Sequence, residues 1–312
     1  MPESSPNSKW LRRTLLIIVP VVLVAALAPH VYSNQLLLFN FIVFLTLAQG
    51  VNIIYGFTGY LPFGYVGFFG AGAYGFAISV MHVHWSPFPS LAVGALTAVA
   101  IGAVLIPLLR LSGPYFAIAN LAAALGLAQI VANPALQSIT KGPYGVSLNG
   151  VYQPGLSYGT SIAILVFALA CALYLRHSRF GLALQAVKND PISAAMAGIN
   201  VVKARTIAWL LSALIAGLIG ANFAWYVSVF YPENVFSPDF SIFAIVFALF
   251  GGVATVTGPI LGVLLLYGLY NFIGISSPQY FQLIYGLLIM VLVLFLPSGI
   301  GSLLRRWGIH VV

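Results

Sequence analysis

His82 and His84 stand two residues apart at the end of an apolar run, and Cys171 lies in the middle of another. Such side chains can hold a metal or act as nucleophiles, but neither chemistry has the company it needs. No carboxylate or cysteine lies near the histidines in the chain, so a metal would lack ligands and no metal site is expected. The single cysteine permits no disulfide framework and reads as a small apolar packing residue. There is no H-E-x-x-H, no G-x-S-x-G and no G-x-x-x-x-G-K-[ST], so a P-loop ATP site within this chain is excluded. No catalytic residue and no cofactor are expected.

The remaining polar groups with access to the apolar runs are neutral. Asn40, Thr46, Gln49 and Asn52 fall in one run, Asn120 and Gln129 in another. Gln49 and Asn52 are three apart and share a helix face. They could join helices by hydrogen bonds, or line a path for a solute. The stretch GFTGYLPFGYVGFFGAGAYG, residues 56–75, holds seven glycines and seven aromatics without a charge. Gly56, Gly59 and Pro62 mark a turn. Gly64, Gly67, Ala71 and Gly75 recur at steps of three and four, a small-residue face that lets helix backbones approach closely. Tyr65 and Phe69 lie on a different face, as candidates for the path or for lipid contact.

The elements that must position these groups follow from composition. The chain is 61% apolar and 5% charged, with a mean hydropathy of +1.05, far from the roughly one quarter charged residues of soluble domains. It reads as an all-α integral membrane protein in contact with the lipid bilayer, with a single transmembrane domain over 1–312. A crossing takes about 20 apolar residues, and runs at 15–29, 36–55, 61–82, 88–109, 113–133, 159–175, 205–227, 240–252, 257–274 and 279–296 give about ten transmembrane helices. GGVATVTGPILG interrupts the eighth and ninth, which could instead form one broken hairpin.

Charge fixes the expected orientation. With the N-terminus cytoplasmic, ten crossings place every lysine and arginine except Lys141 inside, a strong positive-inside bias. Both termini are then cytoplasmic, with tails at 1–14 and 297–312 and a basic loop at 176–204. The net charge of +8 reports this orientation and calls for no nucleic-acid partner. Lys9, Arg12, Arg13 and the Ala26-Leu27-Ala28 triplet also fit a cleavable leader, although Pro29 is an awkward residue after a cleavage site. No acid or base falls at central depth in any run, which argues against proton pumps and voltage sensors; sodium coupling through backbone carbonyls is less firmly excluded.

The basic loop carries the most local organisation. Asp190 before Pro191 is an N-cap followed by proline at the first helical position, and Gly198 is a natural C-cap, so a helix of about two turns is expected.

RFGLALQAVKNDPISAAMAGINVVKARTIAWLLSALIAGLIGANFAW, from Arg179, resembles the cytoplasmic loop and following span of bacterial ABC-importer permeases of the branched-chain amino acid family. NIIYGFTGYLPFGYVGFFGAGAY, LRLSGPYFAIANLA, ITKGPYGV, SPDFSIFAIVFALFGGVATVTGPILGVLLL and LPSGI match in the same order along the chain. The resemblance implies two halves of inverted topology, a second related permease subunit, two cytoplasmic ATP-binding subunits and a periplasmic substrate-binding protein, in a bacterial inner membrane. It implies an importer driven by ATP hydrolysis in those partners, with this chain forming half the path for branched-chain or other hydrophobic amino acids. Relatives also carry urea or short amides, and a stand-alone secondary carrier or channel is the reading from another class.

Carried over by position, Ala186, Lys188, Asp190, Pro191, Ala194, Ala195 and Gly198 form the segment that couples to the ATPase. Gln49, Asn52, Gly64, Tyr65, Phe69, Asn120 and Gln129 are the expected path residues. The family usually has an acid near Lys188 or Asn189, a threonine near Asn120 and a glutamate near Gln129, so this membrane interior is less polar than its relatives'.

Overall fold

The structure is a computed structural model that describes residues 19–30 and 32–276, with isolated positions as far as 290. Six helices begin on a proline: α4 (Pro87–Val104), α5 (Pro114–Val131), α7 (Pro154–His177), α9 (Pro191–Met196), α11 (Pro232–Val235) and α12 (Pro238–Gly251). The missing N–H belongs to a group with no intrahelical partner at that position, and the fixed φ favours the first turn. The others are α1 (Val19–His30), α2 (Gln35–Val51), α3 (Val66–Val83), the short α6 (Gln137–Thr140), α8 (Arg179–Asn189), α10 (Val201–Val227) and α13 (Thr257–Ser276).

Seven stretches among the described residues are long and apolar enough to cross a membrane: Gln35–Gly56, Val66–Val83, Pro87–Val104, Pro114–Val131, Pro154–His177, Val201–Val227 and Pro232–Gly251. Two shorter apolar helices, Val19–His30 and Thr257–Ile273, coincide with the expected first and ninth crossings. The expected tenth crossing and both tails lie outside the described residues. The eighth and ninth runs form two helices packed on each other, α12 and α13. At 14 residues, α12 is about 21 Å long, and α11 extends its apolar stretch.

The centre of the bundle is the trio α3, α4 and α10, each packed against the other two. Its contacts are nearly backbone to backbone. A Cβ on Gly72 would stand 2.2 Å from the Gly217 carbonyl oxygen, and one on Gly220 would stand 2.0 Å from that of Phe69. Lipid tails give no hydrophobic drive for helix pairing, so close van der Waals contact has to supply it. The expected small-residue face of α3 divides among neighbours. Gly64 and Gly67 meet Asn120 and Ala124 of α5, while Gly75 meets Thr97 and Gly94 of α4.

An aromatic layer joins α2, α10, α12 and α13 beside this trio. Phe44 contacts the rings of Phe240, Phe243, Phe247 and Tyr267, and Phe69 of α3 stacks on Phe240 at 4.7 Å. Tyr158 of α7 donates to the Ala25 carbonyl, which ties α1 to the bundle.

The two ends of the bundle differ. At one end, the 134–153 segment is clamped over α10: Val146 and Ser147 pair antiparallel with Phe230 and Val229, and Trp225 donates to the Val151 carbonyl. This two-residue ladder is a small departure from an all-α chain. Lys141, Glu233 and Asp239 lie at this end. Arg176, Lys188 and Arg205 lie at the other, linked there by contacts to Ala254, Gly56 and Tyr60, and Arg110 follows Leu109, whose carbonyl accepts from Tyr60.

Candidate coupling segment and solute path

The basic-end loop folds as two consecutive helices. Ser178 caps α8 by accepting from the Gly181 N–H, and α8 runs to Asn189. Asp190 then takes an extended conformation and caps α9 by accepting from Ile192 N–H at 2.9 Å. The Ser193 hydroxyl also donates to the Asp190 carboxylate. This hydroxyl bond first, and the backbone donors after it, hold the Asp190 carboxyl below its usual pKa. A depressed carboxyl pKa makes the cap most effective above the ordinary carboxylate range and weakens it as pH falls through the lowered value. Gly198 ends the turn at φ +85, a left-handed conformation suited to glycine.

This hairpin presents an apolar ridge. Ala194 is buried against the protein, whereas Ile192 and Met196 are 72% and 79% exposed and, four apart, share one face of α9. Pro191 and Ala195 are also exposed, and Ala186 is half-buried. Lys188 turns back into the bundle. Its ammonium donates to the Gly56 carbonyl at 2.9 Å and lies 5.8 Å from the Tyr55 ring centre. Loss of water around it lowers its pKa. This residue therefore connects the segment to the end of α2.

At that end the backbone widens into a π-helical turn, Asn52–Gly56. Such turns open the regular hydrogen-bond ladder and favour close approach by other groups. Here the neighbour is the irregular 252–256 turn between α12 and α13, where Gly252 and Ala254 both have positive φ. Irregular backbone in a membrane bundle must be enclosed by protein or water. Gln49 donates to Val256 O at 2.8 Å and Asn52 to Thr255 O at 2.7 Å. The Asn52 side-chain Oδ1 accepts from Ala254 N–H, and Arg176 donates to Ala254 O. The shared face of Gln49 and Asn52 thus braces a loop some 200 residues further along the chain.

Of the other expected path residues, Gly64, Tyr65, Phe69 and Asn120 are also inside the bundle. Asn120 accepts from Gly64 N–H at 2.7 Å, an approach that only a glycine at 64 allows. Tyr65 donates to Ser212 O, and Ser212 to Gly50 O, so that α2, α3 and α10 are joined in one chain of bonds. Phe69 is fully buried in the aromatic layer. Neither Tyr65 nor Phe69 faces lipid. Gln129 alone of this set is exposed, on α5.

A cavity of about 690 Å³ opens at the basic end. Its rim includes Thr58, Tyr60, Ser112, Lys188 and Arg205, and Leu61, Phe63, Ile118 and Leu121 form apolar wall. Arg205 lies 5.0 Å from the Tyr60 ring centre, and Tyr60 donates to Leu109 O. A cation over an aromatic face contributes about 0.5–1 kcal/mol at an exposed site and more when desolvated. Sequence reading registered Lys188 as part of the coupling loop and Arg205 as a basic residue, but not their joint position. The nearest signal was Tyr60, an aromatic between two turn residues. Among the described residues no group of histidine, cysteine and carboxylates could hold a metal.

A bundle with seven described helices long and apolar enough to cross a membrane, braced by buried neutral polar groups, is a multi-pass membrane protein. Residues 35–294 match the family described as branched-chain amino acid transport system, permease component, and the chain belongs to that family. It is 27% identical over 297 residues to the high-affinity branched-chain amino acid transport system permease protein LivM of Escherichia coli K12, covering 84% of this chain and 68% of LivM. The same identity and coverage hold for LivM of Salmonella typhimurium. LivH of E. coli K12 is 26% identical over 180 residues, covering 52% of this chain and 58% of LivH. No solved structure matches.

Proposed function

We propose that this chain is one permease subunit of an ATP-driven importer in a bacterial inner membrane, forming half of the path for branched-chain or other hydrophobic amino acids. The carrying observation is the Asp190-capped hairpin, which holds the exposed Ile192 and Met196 clear of the bundle at its basic end. Two exposed apolar side chains on a capped hairpin that stands off the bundle suit a groove on a cytoplasmic protein, where such side chains act as anchors. Its position also follows the positive-inside rule, with both termini cytoplasmic.

Ala186 to Gly198 is then the coupling segment. Two ATP-binding subunits push it, a second permease completes the path, and an external binding protein delivers solute. Similarity to both LivM and LivH supports pairing with a related permease. Helix ends and neutral groups can meet a zwitterion without fixed counter-charges at mid-depth.

The test is reconstitution. Liposomes holding this chain alone should carry no leucine, isoleucine or valine down a gradient, and adding the second permease, the ATPases and the binding protein should give ATP-dependent uptake. Gradient-driven flux by the chain alone would instead identify a secondary carrier or channel.

A further inference from the structure

The inner cavity contains features that a passive gap between helices does not need. Two cations, Lys188 and Arg205, border it. Neither has a carboxylate partner among the described residues, and the buried Nε of Arg205 has no hydrogen-bond partner among them. Lys188 is exposed and held by the Gly56 carbonyl, so the stronger case is Arg205, whose half-buried guanidinium faces the Tyr60 ring and keeps a donor that an anion would satisfy. The guanidinium remains charged at any physiological pH and presents a flat fork matched to a carboxylate. Ser112 adds an exposed hydroxyl to the rim, whereas that of Thr58 is committed to the Ile54 carbonyl, and Gly113, at φ +53, turns the chain so that Pro114 can open α5 beside them.

The walls select among anions. Leu61, Phe63, Ile118 and Leu121 offer a branched aliphatic group an apolar surface. A strongly hydrated inorganic anion would gain nothing from that surface and would lose water to it. The volume of about 690 Å³ falls within the range of small-molecule sites.

We propose that this cavity is an exit subsite for a small aliphatic carboxylate, with Arg205 as its fixed cation and Lys188 as a cation carried by the coupling segment. The identification as an exit rests on the importer reading given above; the carboxylate recognition does not. Lys188 is held to Gly56 O in this conformation, so a shift of the 186–198 hairpin necessarily alters the cavity rim. Movement driven by the ATPase would in this way change the affinity for the solute where it leaves.

The test is ligand protection of a thiol in the assembled complex in lipid nanodiscs. Ser112→Cys, in a Cys171→Ala background, puts one reactive thiol on the exposed rim. The probes are 4-methylpentanoate, its primary amide and inorganic phosphate, and the readout is the rate of labelling by a hydrophilic maleimide. The carboxylate at saturation should slow labelling about threefold or more, with the amide and phosphate ineffective; Arg205→Gln should raise the carboxylate concentration that gives half-protection about tenfold, the loss expected for one charge-assisted contact.

Arg205→Lys should retain part of the protection and Lys188→Gln should lose a smaller part, so the test survives if Arg205→Gln fails to assemble. Equal protection by the amide, equal protection by phosphate, no protection at all, or protection unchanged in these variants would each overturn the proposal. Uptake separates the two readings. Carboxylate protection in a complex that shows no ATP-driven uptake would count against the importer and leave the subsite standing, whereas normal uptake without protection would do the reverse.

Discussion

Helices α3 and α5 have equal length and comparable apolar character, yet 72% of the first and 22% of the second is buried within the chain. The difference lies in side-chain size and position. Three glycines of α3, Gly67, Gly72 and Gly75, each meet a neighbouring helix so closely that a Cβ would collide or crowd. Gly126 of α5 meets nothing within 4 Å, and Tyr115 and Ile130 are exposed. Hydropathy separates membrane from water and says little about which helix is central. In lipid, close packing of small residues makes the centre, and a helix without it is available to a partner or a path.

The largest expected effect comes from filling the α3–α10 contact. Gly72→Leu or Gly220→Leu pushes a branched side chain into a facing carbonyl, where typical overpacking costs of about 1–3 kcal/mol are a lower bound because backbone cannot yield as side chains do. Neither variant should accumulate as folded protein by size-exclusion in detergent. Normal yield and thermal stability would show that the trio is looser than its geometry.

Removal of a buried brace should come next. Asn52→Leu leaves Thr255 O and Ala254 N–H without their partners, and an unmet buried group costs about 1–3 kcal/mol. A lower midpoint of thermal unfolding is expected, and Asn52→Asp should not restore it, because a carboxylate cannot donate to Thr255 O. An unchanged midpoint would mean that the 252–256 turn is held adequately by Gln49 and Arg176.

The exposed ridge should behave in the opposite way to the core. Ile192→Glu with Met196→Glu touches no buried contact, so the unfolding midpoint should stay within measurement error of the parent. Docking of the ATPase should fall about thirtyfold or more if the two side chains carry about 2 kcal/mol between them, as anchors of a protein interface do. Inserting two residues beside Pro191 should have the same phenotype by displacing the hairpin. Unchanged complex formation and uptake in both variants would remove the coupling assignment.

The parts legible in the sequence were those governed by neighbours along the chain. Asp190, Pro191 and Gly198 specify a cap, a first turn and a stop within nine residues, and the structure has α9 there. A proline begins six of the thirteen described α-helices for the same local reason. Gln49 and Asn52 were legible as one polar face, but their partner is a turn about 200 residues away, and no local pattern names it. The same limit applies to the glycines of α3. Their spacing announces close contact, whereas their division between α4, α5 and α10 depends on how the other helices surround them. Tyr65 and Phe69 faced neither lipid nor an open path in this conformation, because neighbouring helices close over both.

The smallest stability effect belongs to α5, where it is the most informative. Gly126→Ala adds a methyl into open space and improves helix propensity by up to about 1 kcal/mol, so the isolated chain should be unchanged or slightly more stable. Gly126→Phe should likewise leave insertion and folding intact, since nothing in this chain stands in the way. Under the proposed importer reading, the same ring would stand in space left for a second permease or the solute, and ATP-driven uptake should be lost. Retained uptake with a phenylalanine at 126 would show that the open face of α5 meets only lipid, and the contrast with α3 would then reflect a peripheral helix and not one kept free for a partner.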